Sequence, residues 1–268
     1  MILLLTIIFF VFGLIIGSFL NVVILRLNTQ KTFGGRSACM SCRNTLSWYE
    51  LFPVFSFLWL GGKCRNCKTK ISIQYPLVEL VTGLIFAAIF LKFQDIFFLN
   101  TFSFSFTYAY YAVVFSLLLV IAVYDIRHKI IPDSLSLTLG ILTFLGLFIF
   151  GNSNFLGYFG FFPHIPSLLE FLAGPLIAAP FALLWLVSGG RWMGLGDAKL
   201  ALSIGWLLGL SGALSGVVMA FWAGAVIGII LIIFSSKHGM KSEIPFAPYL
   251  VLGTALAFIF SLSLFGLF

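Results

Sequence analysis

Asp125 and Asp197 stand at the ends of apolar runs in a chain of 268 residues that has only eight Asp plus Glu. A carboxylate held against hydrocarbon is costly, and it marks a candidate functional site whose partner has to be found. Here each aspartate is the candidate partner of the other. Two carboxylates brought together in a partly dry site cannot both ionise readily, so they share a proton. One then acts as base on a water while the other protonates or polarises a scissile carbonyl. The pair titrates as a unit, so neither role belongs to a particular residue. A structural reading stands beside this one: Asp197 as the N-cap of a helix, and Asp125 paired with Arg127 or Lys129 at the headgroups. The residues alone leave both open.

The four cysteines form a second cluster, as Cys39-Met-Ser-Cys42 and Cys64-Arg-Asn-Cys67, with 21 residues between the pairs. Two CxxC knuckles can place four thiolates tetrahedrally around one zinc ion, although this spacing is one residue beyond the usual range. Disulfide or redox use is the competing reading, and a reducing cytoplasm would disfavour it. Arg43, Lys63, Arg65 and Lys68 flank the knuckles; they would offset thiolate charge and also act as topology signals. Between the knuckles, residues 46–60 are too aromatic for a solvated linker. That stretch either packs on the ribbon or lies in the membrane interface.

The elements that must position these groups follow from composition. With 61% hydrophobic residues, 9% charged residues and a mean hydropathy of +1.15, too little polar surface exists to coat a soluble globule. The expected fold class is an all-α polytopic membrane protein, since lipid offers backbone amides no partners and no strand-like alternation is present. Eight runs qualify as spans: 2–25, 76–92, 105–124, 134–151, 167–188, 198–213, 214–234 and 246–267. The boundary between the sixth and seventh is placed at Gly209 to Gly212. The expected organisation is a first transmembrane helix over 1–25, a small cytoplasmic zinc-ribbon-like insert over 26–75 between helices 1 and 2, and a seven-helix membrane domain over 76–268. No base precedes the first apolar run, which reads as a retained helix and not as a signal peptide.

Charge orients the bundle. The stretch 26–74 carries eight basic residues against one acid, Glu50, which places it in the cytoplasm. Arg127, Lys129, Arg191, Lys199, Lys237 and Lys241 fall on the same side when eight spans are threaded, leaving only Lys92 opposite. Both termini are then outside. Two spans separate Asp125 from Asp197, so an even number of crossings returns both to the cytoplasmic surface. The net charge of +7 serves topology and lipid headgroup contact, and no nucleic-acid partner is expected.

Other polar residues read more modestly. Asp133, after Ile131-Pro132, reads as a turn and helix cap. Glu79 lies below the interface and is expected to support a site. His128 reads as an interfacial helix end, His164 as an outer residue and His238 as part of a basic loop. The steps Gly212 to Gly216 and Gly224 to Gly228 read as helix packing.

In order along the chain stand Gly17-Ser-Phe-Leu-Asn-Val-Val23, the paired CxxC insert, Tyr75-Pro-Leu-Val-Glu-Leu80, Asp125 with Ile131-Pro-Asp133, Gly194-Leu-Gly-Asp-Ala-Lys-Leu200 and Pro245-Phe-Ala-Pro-Tyr249. Over nearly its whole length the chain thereby resembles the type IV prepilin peptidases, membrane aspartic proteases of bacteria that are often also N-methyltransferases. The resemblance implies that Asp125 and Asp197 are catalytic, and that Cys39, Cys42, Cys64 and Cys67 bind zinc in the insert of members that combine cleavage with methylation. It implies type IV prepilin or pseudopilin substrates, each with a short basic leader ending in Gly before an apolar helix that often begins with Phe. It also implies S-adenosylmethionine as methyl donor, and an inner-membrane location with the active site facing the cytoplasm. No nucleotide-binding glycine fingerprint marks a donor site; Gly62 and Lys63 are candidates, with Gly61 standing where the family pattern has Arg. Two rival readings are an intramembrane aspartic protease of other substrates without methyltransferase activity, which has no use for the cysteine insert, and a non-enzymatic zinc-binding transporter, which needs Asp and His ligands together deep in the helices.

Overall fold

The computed structural model describes residues 1–29, 32, 34–150, 165–234 and 245–263. Lys31, His164, Lys237, His238 and Lys241 lie outside the described residues. Among the described residues the protein is helical, with two isolated β-bridges and no strand. It forms two compact units, Met1–Gln94 and Asp95–Phe268. The boundary falls next to Phe93, where helix α3 leaves helical geometry (φ −109°, ψ 15°).

The first unit begins with α1 (Ile2–Arg26). Its apolar side chains Leu3, Leu4, Ile8 and Ile15 are exposed, as lipid contact requires. Its other face meets α3 (Gln74–Leu99) at glycines. A Cβ on Gly17 would stand 2.7 Å from the Cα of Glu79, and one on Gly13 would stand 2.8 Å from the Cα of Gly83. This is the close backbone approach that small residues permit between membrane helices. Phe9 and Phe90 stack beside it, with ring centroids 4.6 Å apart. Between the helices lie the cysteine insert, a single 3-10 turn at Trp48–Leu51 and a short helix α2 (Phe55–Trp59). The turn and helix belong to the aromatic stretch.

The second unit holds α4 (Thr101–His128), α5 (Asp133–Ile149), α6 (Leu168–Ser188), α7 (Leu195–Phe234) and α8 (Ala247–Ile259). Five described helices have the length and hydropathy of a membrane span, and α5 and α8 are shorter apolar helices. The protein is therefore a multi-pass membrane protein. The last span is shorter than the expected 246–267, since α8 ends at Ile259.

The sixth and seventh expected spans are joined in α7, whose 40 residues would reach about 60 Å if straight, twice the roughly 30 Å of hydrocarbon in a bilayer. Gly209 interrupts it with φ 68° and ψ 176°, a conformation that only glycine adopts without strain. The packing shows that the chain reverses there. Before Gly209, Gly205 lies on Ala173 and Gly174 of α6; after it, Gly216 lies on Gly253 of α8 and Gly224 on Tyr249. The second half thus runs antiparallel to α8 and returns to the end from which α7 started.

α6 carries Pro175 and Pro180 inside the helix. Pro175 has no amide hydrogen, so the carbonyl of Phe171 loses its helical partner. Trp206 of α7 replaces it, its indole Nε1–H donating to that carbonyl at 3.0 Å. Gly174 makes room for the indole, since a Cβ there would meet Trp206 Nε1 at 2.6 Å. Among the described residues, the closest backbone approach at a glycine is at Gly253, where a Cβ would fall 2.1 Å from the carbonyl oxygen of Gly216. Backbone cannot rotate aside as a side chain can, so Gly253→Val is expected to lose about 1–3 kcal/mol or more. Thermal unfolding in detergent checks this against Gly140→Ala, where the nearest atom, Ser203 Oγ, is 3.6 Å away. A Gly253→Val protein as stable as Gly140→Ala would contradict the crossing.

Candidate functional site

Asp125 occupies the last turn of α4 and is 5% exposed, although its neighbours Ile126, Arg127 and His128 are all exposed. Its carboxylate accepts the backbone N–H of Ala247, Oδ2 to N 3.3 Å. Ala247 opens α8, and a first-turn amide has no partner within its own helix; Pro248 follows where the missing proline donor costs nothing. Asp125 has no cationic partner among the described residues. Asp197 is half-buried in the first turn of α7, where the Gly194 backbone also hydrogen-bonds its carboxylate. The two aspartates lie close enough for their charges to interact. The unit thus brings both to one end of its helices, each held by a backbone amide at the start of a helix. Such a pair can hold a water and a peptide carbonyl between an acid and a base.

The loop before α5 braces this end. A Cβ on Gly196 would meet the Ile131 Cβ at 2.9 Å, so glycine lets the two segments touch. Asp133 makes no capping hydrogen bond, and Pro132 is the N-cap of α5. Instead the Asp133 carboxylate pairs with Lys199 Nζ at 2.5 Å, both side chains being exposed. The expected cap is therefore an ion pair between the starts of α5 and α7. His128 stacks on Tyr124 at 4.4 Å between centroids, at the exposed end of α4. Sequence reasoning missed the Ala247 amide and the Lys199 pair; the ordered motifs around Pro245 and Lys199 were the available signals.

In the first unit the four cysteine sulfurs all lie within 4.8 Å of one another, and all four are free thiols. The arrangement could hold a metal ion. Two equivalent knuckles build it. The Arg43 amide donates to the Cys39 carbonyl and the Lys68 amide to the Cys64 carbonyl, both at 3.0 Å. Arg43 and Lys68, each just after the second cysteine, take left-handed φ of 58° and 60°. Each knuckle is closed by one bridge, Ala38 with Thr45 and Lys63 with Lys70. The thiols are not electrostatically alike. Cys67 is lowered to about 6 by the hydroxyl of Thr69, 3.2 Å away, and by the Thr69 amide. Cys39 is lowered by the amides of Cys42 and Ser41. Cys42, although the Asn44 amide favours its thiolate, is pushed up to about 11 by desolvation and by the other three sulfurs. Four clustered thiols cannot all ionise without a cation among them.

Glu79, expected to support a site, is 7% exposed in α3. It accepts the backbone N–H of Val54 at 2.7 Å, with the Ser18 side chain as a second partner. Val54 has φ 60° and ψ −48°, a strained conformation for a β-branched residue that persists only where the surroundings impose it. Glu79 therefore ties the aromatic stretch of the insert to α3. Asn21 of α1, 2% exposed, donates to the carbonyls of Gly17 and Tyr75 nearby.

Comparison with known proteins follows the same division. A bacterial peptidase A24 N-terminal domain model matches residues 11–93, and the type IV leader peptidase family model matches residues 112–233. The chain is similar to the prepilin leader peptidase/N-methyltransferase of Bacillus subtilis, 34% identical over 268 residues covering 97% of this chain and 96% of that one. It is 34% identical over 269 residues to the protein of that name from Xanthomonas campestris pv. campestris, covering 90% and 86% of the two chains. With the one from Myxococcus xanthus it shares 33% identity over 244 residues, 87% of this chain, and spans 65% of that protein's length. No solved structure matches. Two family models matched in order and identity along almost the full length of the Bacillus protein lead to one conclusion: the chain belongs to the type IV leader peptidase family.

Proposed function

We propose that this protein is a bifunctional prepilin leader peptidase and N-methyltransferase, with Asp125 and Asp197 as its catalytic pair. The observation that carries the reading is the convergence of these two carboxylates, from α4 and α7, at one end of the second unit. Between them they hold one proton. The ionised aspartate takes a proton from water, the oxygen attacks the scissile carbonyl, and the protonated aspartate donates to the carbonyl oxygen. Collapse of the tetrahedral adduct breaks the C–N bond, and the departing nitrogen takes a proton from the pair. The substrates are type IV prepilins or pseudopilins, cut after the Gly that ends a basic leader. Arg127, Lys129, Arg191 and Lys199 gather at the helix ends that carry the aspartates, which supports a site facing the cytoplasm at the inner membrane. A pilin helix in lipid presents its leader junction at that boundary.

Cys39, Cys42, Cys64 and Cys67 fit a structural zinc. A tetrahedral site with Zn–S of about 2.3 Å sets its sulfurs about 3.8 Å apart, and Cys39 Sγ lies 3.7 Å from Cys67 Sγ. A disulfide needs about 2.05 Å. Zinc would hold the insert's two knuckles together and take no part in cleavage. The insert over 26–75 serves methylation and the helices over 76–268 serve cleavage. S-adenosylmethionine supplies an electrophilic methyl group on sulfur; the new N-terminal amine takes it, the C–S bond breaks to a thioether, and the amine proton passes to water.

The test is incubation of the purified full-length protein with a purified prepilin and isotopically labelled S-adenosylmethionine, followed by the mass of the pilin N-terminus. A pilin that has lost its leader and gained one labelled methyl group is expected. A cleaved, unmethylated pilin would remove the transferase half, and an uncut one would overturn the reading.

A further inference from the structure

The insert contains a cavity of about 370 Å³ lined by Tyr49, Glu50, Ser56, Trp59, Leu60 and Arg65. Neither the cysteines nor the aspartates line it. Its size is within the range of small-molecule sites, and its polar groups are held in advance of any ligand. The Glu50 Oε2 accepts the Ser47 amide at 2.7 Å within a reciprocal capping box. The Arg65 guanidinium lies 5.4 Å from the centroid of the Tyr49 ring and also donates to the Tyr49 hydroxyl. Both contacts leave further donors on Arg65 for a carboxylate. Trp59 ends α2 with 92% of its surface exposed, an uncovered indole beside two fixed charges of opposite sign.

Those charges select the ligand class. Glu50 is the one acid between residues 26 and 74, and a carboxylate in the cavity disfavours a lipid phosphate. Arg65 disfavours a basic leader peptide. A ligand with a flat π-system, vicinal hydroxyls and a carboxylate, and with a compensating positive charge, meets every group present. We propose that this cavity binds the methyl donor S-adenosylmethionine: adenine stacked on Trp59, ribose hydroxyls donating to Glu50, and the amino-acid carboxylate on Arg65. The inference rests on the methyltransferase half of the proposed function.

The glycine turn connects two walls of this cavity without lining it. Gly61 and Gly62 take left-handed φ of 58° and 66°, and the Gly62 amide closes on the Phe57 carbonyl at 2.8 Å. The turn carries the chain from Trp59 and Leu60 back to Arg65. Gly62 thus shapes the cavity and is not among its lining residues, which relocates the donor contact from the expected Gly62 and Lys63 to the residues on either side. Arg65 follows Cys64, the buried member of the four-cysteine cluster, so the cluster fixes one wall.

The test measures binding of S-adenosylmethionine and of S-adenosylhomocysteine to the full-length protein in detergent micelles, together with zinc content and prepilin cleavage. Trp59→Ala, Glu50→Gln and Arg65→Ala are each expected to weaken donor binding by about tenfold or more, the scale of one lost aromatic stack or charged contact. Trp59→Phe, which keeps a ring, should recover most of the loss; cleavage should stay as in wild type in all of these variants, and zinc content should stay so in the Trp59 and Glu50 variants. If wild type binds and methylates but the three variants bind within about twofold of it, the location is wrong and the transferase reading stands. If wild type neither binds the donor nor methylates pilin, the transferase reading fails and this site falls with it.

Discussion

Asp125→Asn and Asp197→Asn are each expected to reduce prepilin cleavage by about 10²–10⁴-fold, the contribution of a positioned acid or base, while the protein remains inserted and folded. Asparagine keeps the shape of the side chain and can still accept the Ala247 or Gly194 amide, but it cannot take a proton from water at neutral pH. The loss should appear in the rate of cleavage at saturating prepilin, with thermal stability in detergent close to wild type. Asp133→Asn is the control: its ion pair with Lys199 is exposed, and such pairs contribute about 0–1 kcal/mol. Near-normal cleavage by either asparagine variant of the pair would sink the dyad. A loss as large in Asp133→Asn would show that the brace, and not the chemistry, limits the rate.

Serine in place of Cys64 or Cys67 is expected to lower bound zinc from about one ion per chain to none. Structural zinc of this kind contributes about 10–16 kcal/mol of apparent binding free energy, and the insert has few alternatives: its described backbone holds two knuckles, one 3-10 turn and the short α2. Metal analysis of the purified variants and protease sensitivity of the 26–75 stretch check this together. Acid should mimic the substitution, because each ligand must be a thiolate and falling pH returns protons to sulfur. Zinc-free wild-type protein with a protease-resistant insert would contradict the assignment.

Much of this was legible from particular residues. The run from Ile2 to Leu25 and the spans that follow are sums over neighbours, and hydropathy recovers them because the bilayer acts on each segment separately. The α7 reversal was legible too, in Gly209, since a run too long for the membrane has to break where glycine permits. The cysteine spacing announced a cluster, because two CxxC turns have little freedom in where they point their sulfurs. Glu79 was legible only as a costly charge. Its partner, the Val54 amide, lies 25 residues away on a backbone whose left-handed turn no valine advertises.

The amino-acid sequence by itself determined the solvent, the helical class, the approximate spans and the two groups of residues able to do chemistry, because composition, periodicity and short spacings are local properties. Tertiary structure alone decided what those residues meet. The amide held by Asp125 comes from 122 positions along the chain, the cation on Asp133 from 66, and the indole that replaces a hydrogen bond lost to Pro175 from 35. Each partner is a backbone or side-chain group brought near by helix packing, and packing depends on which small residues let which backbones approach.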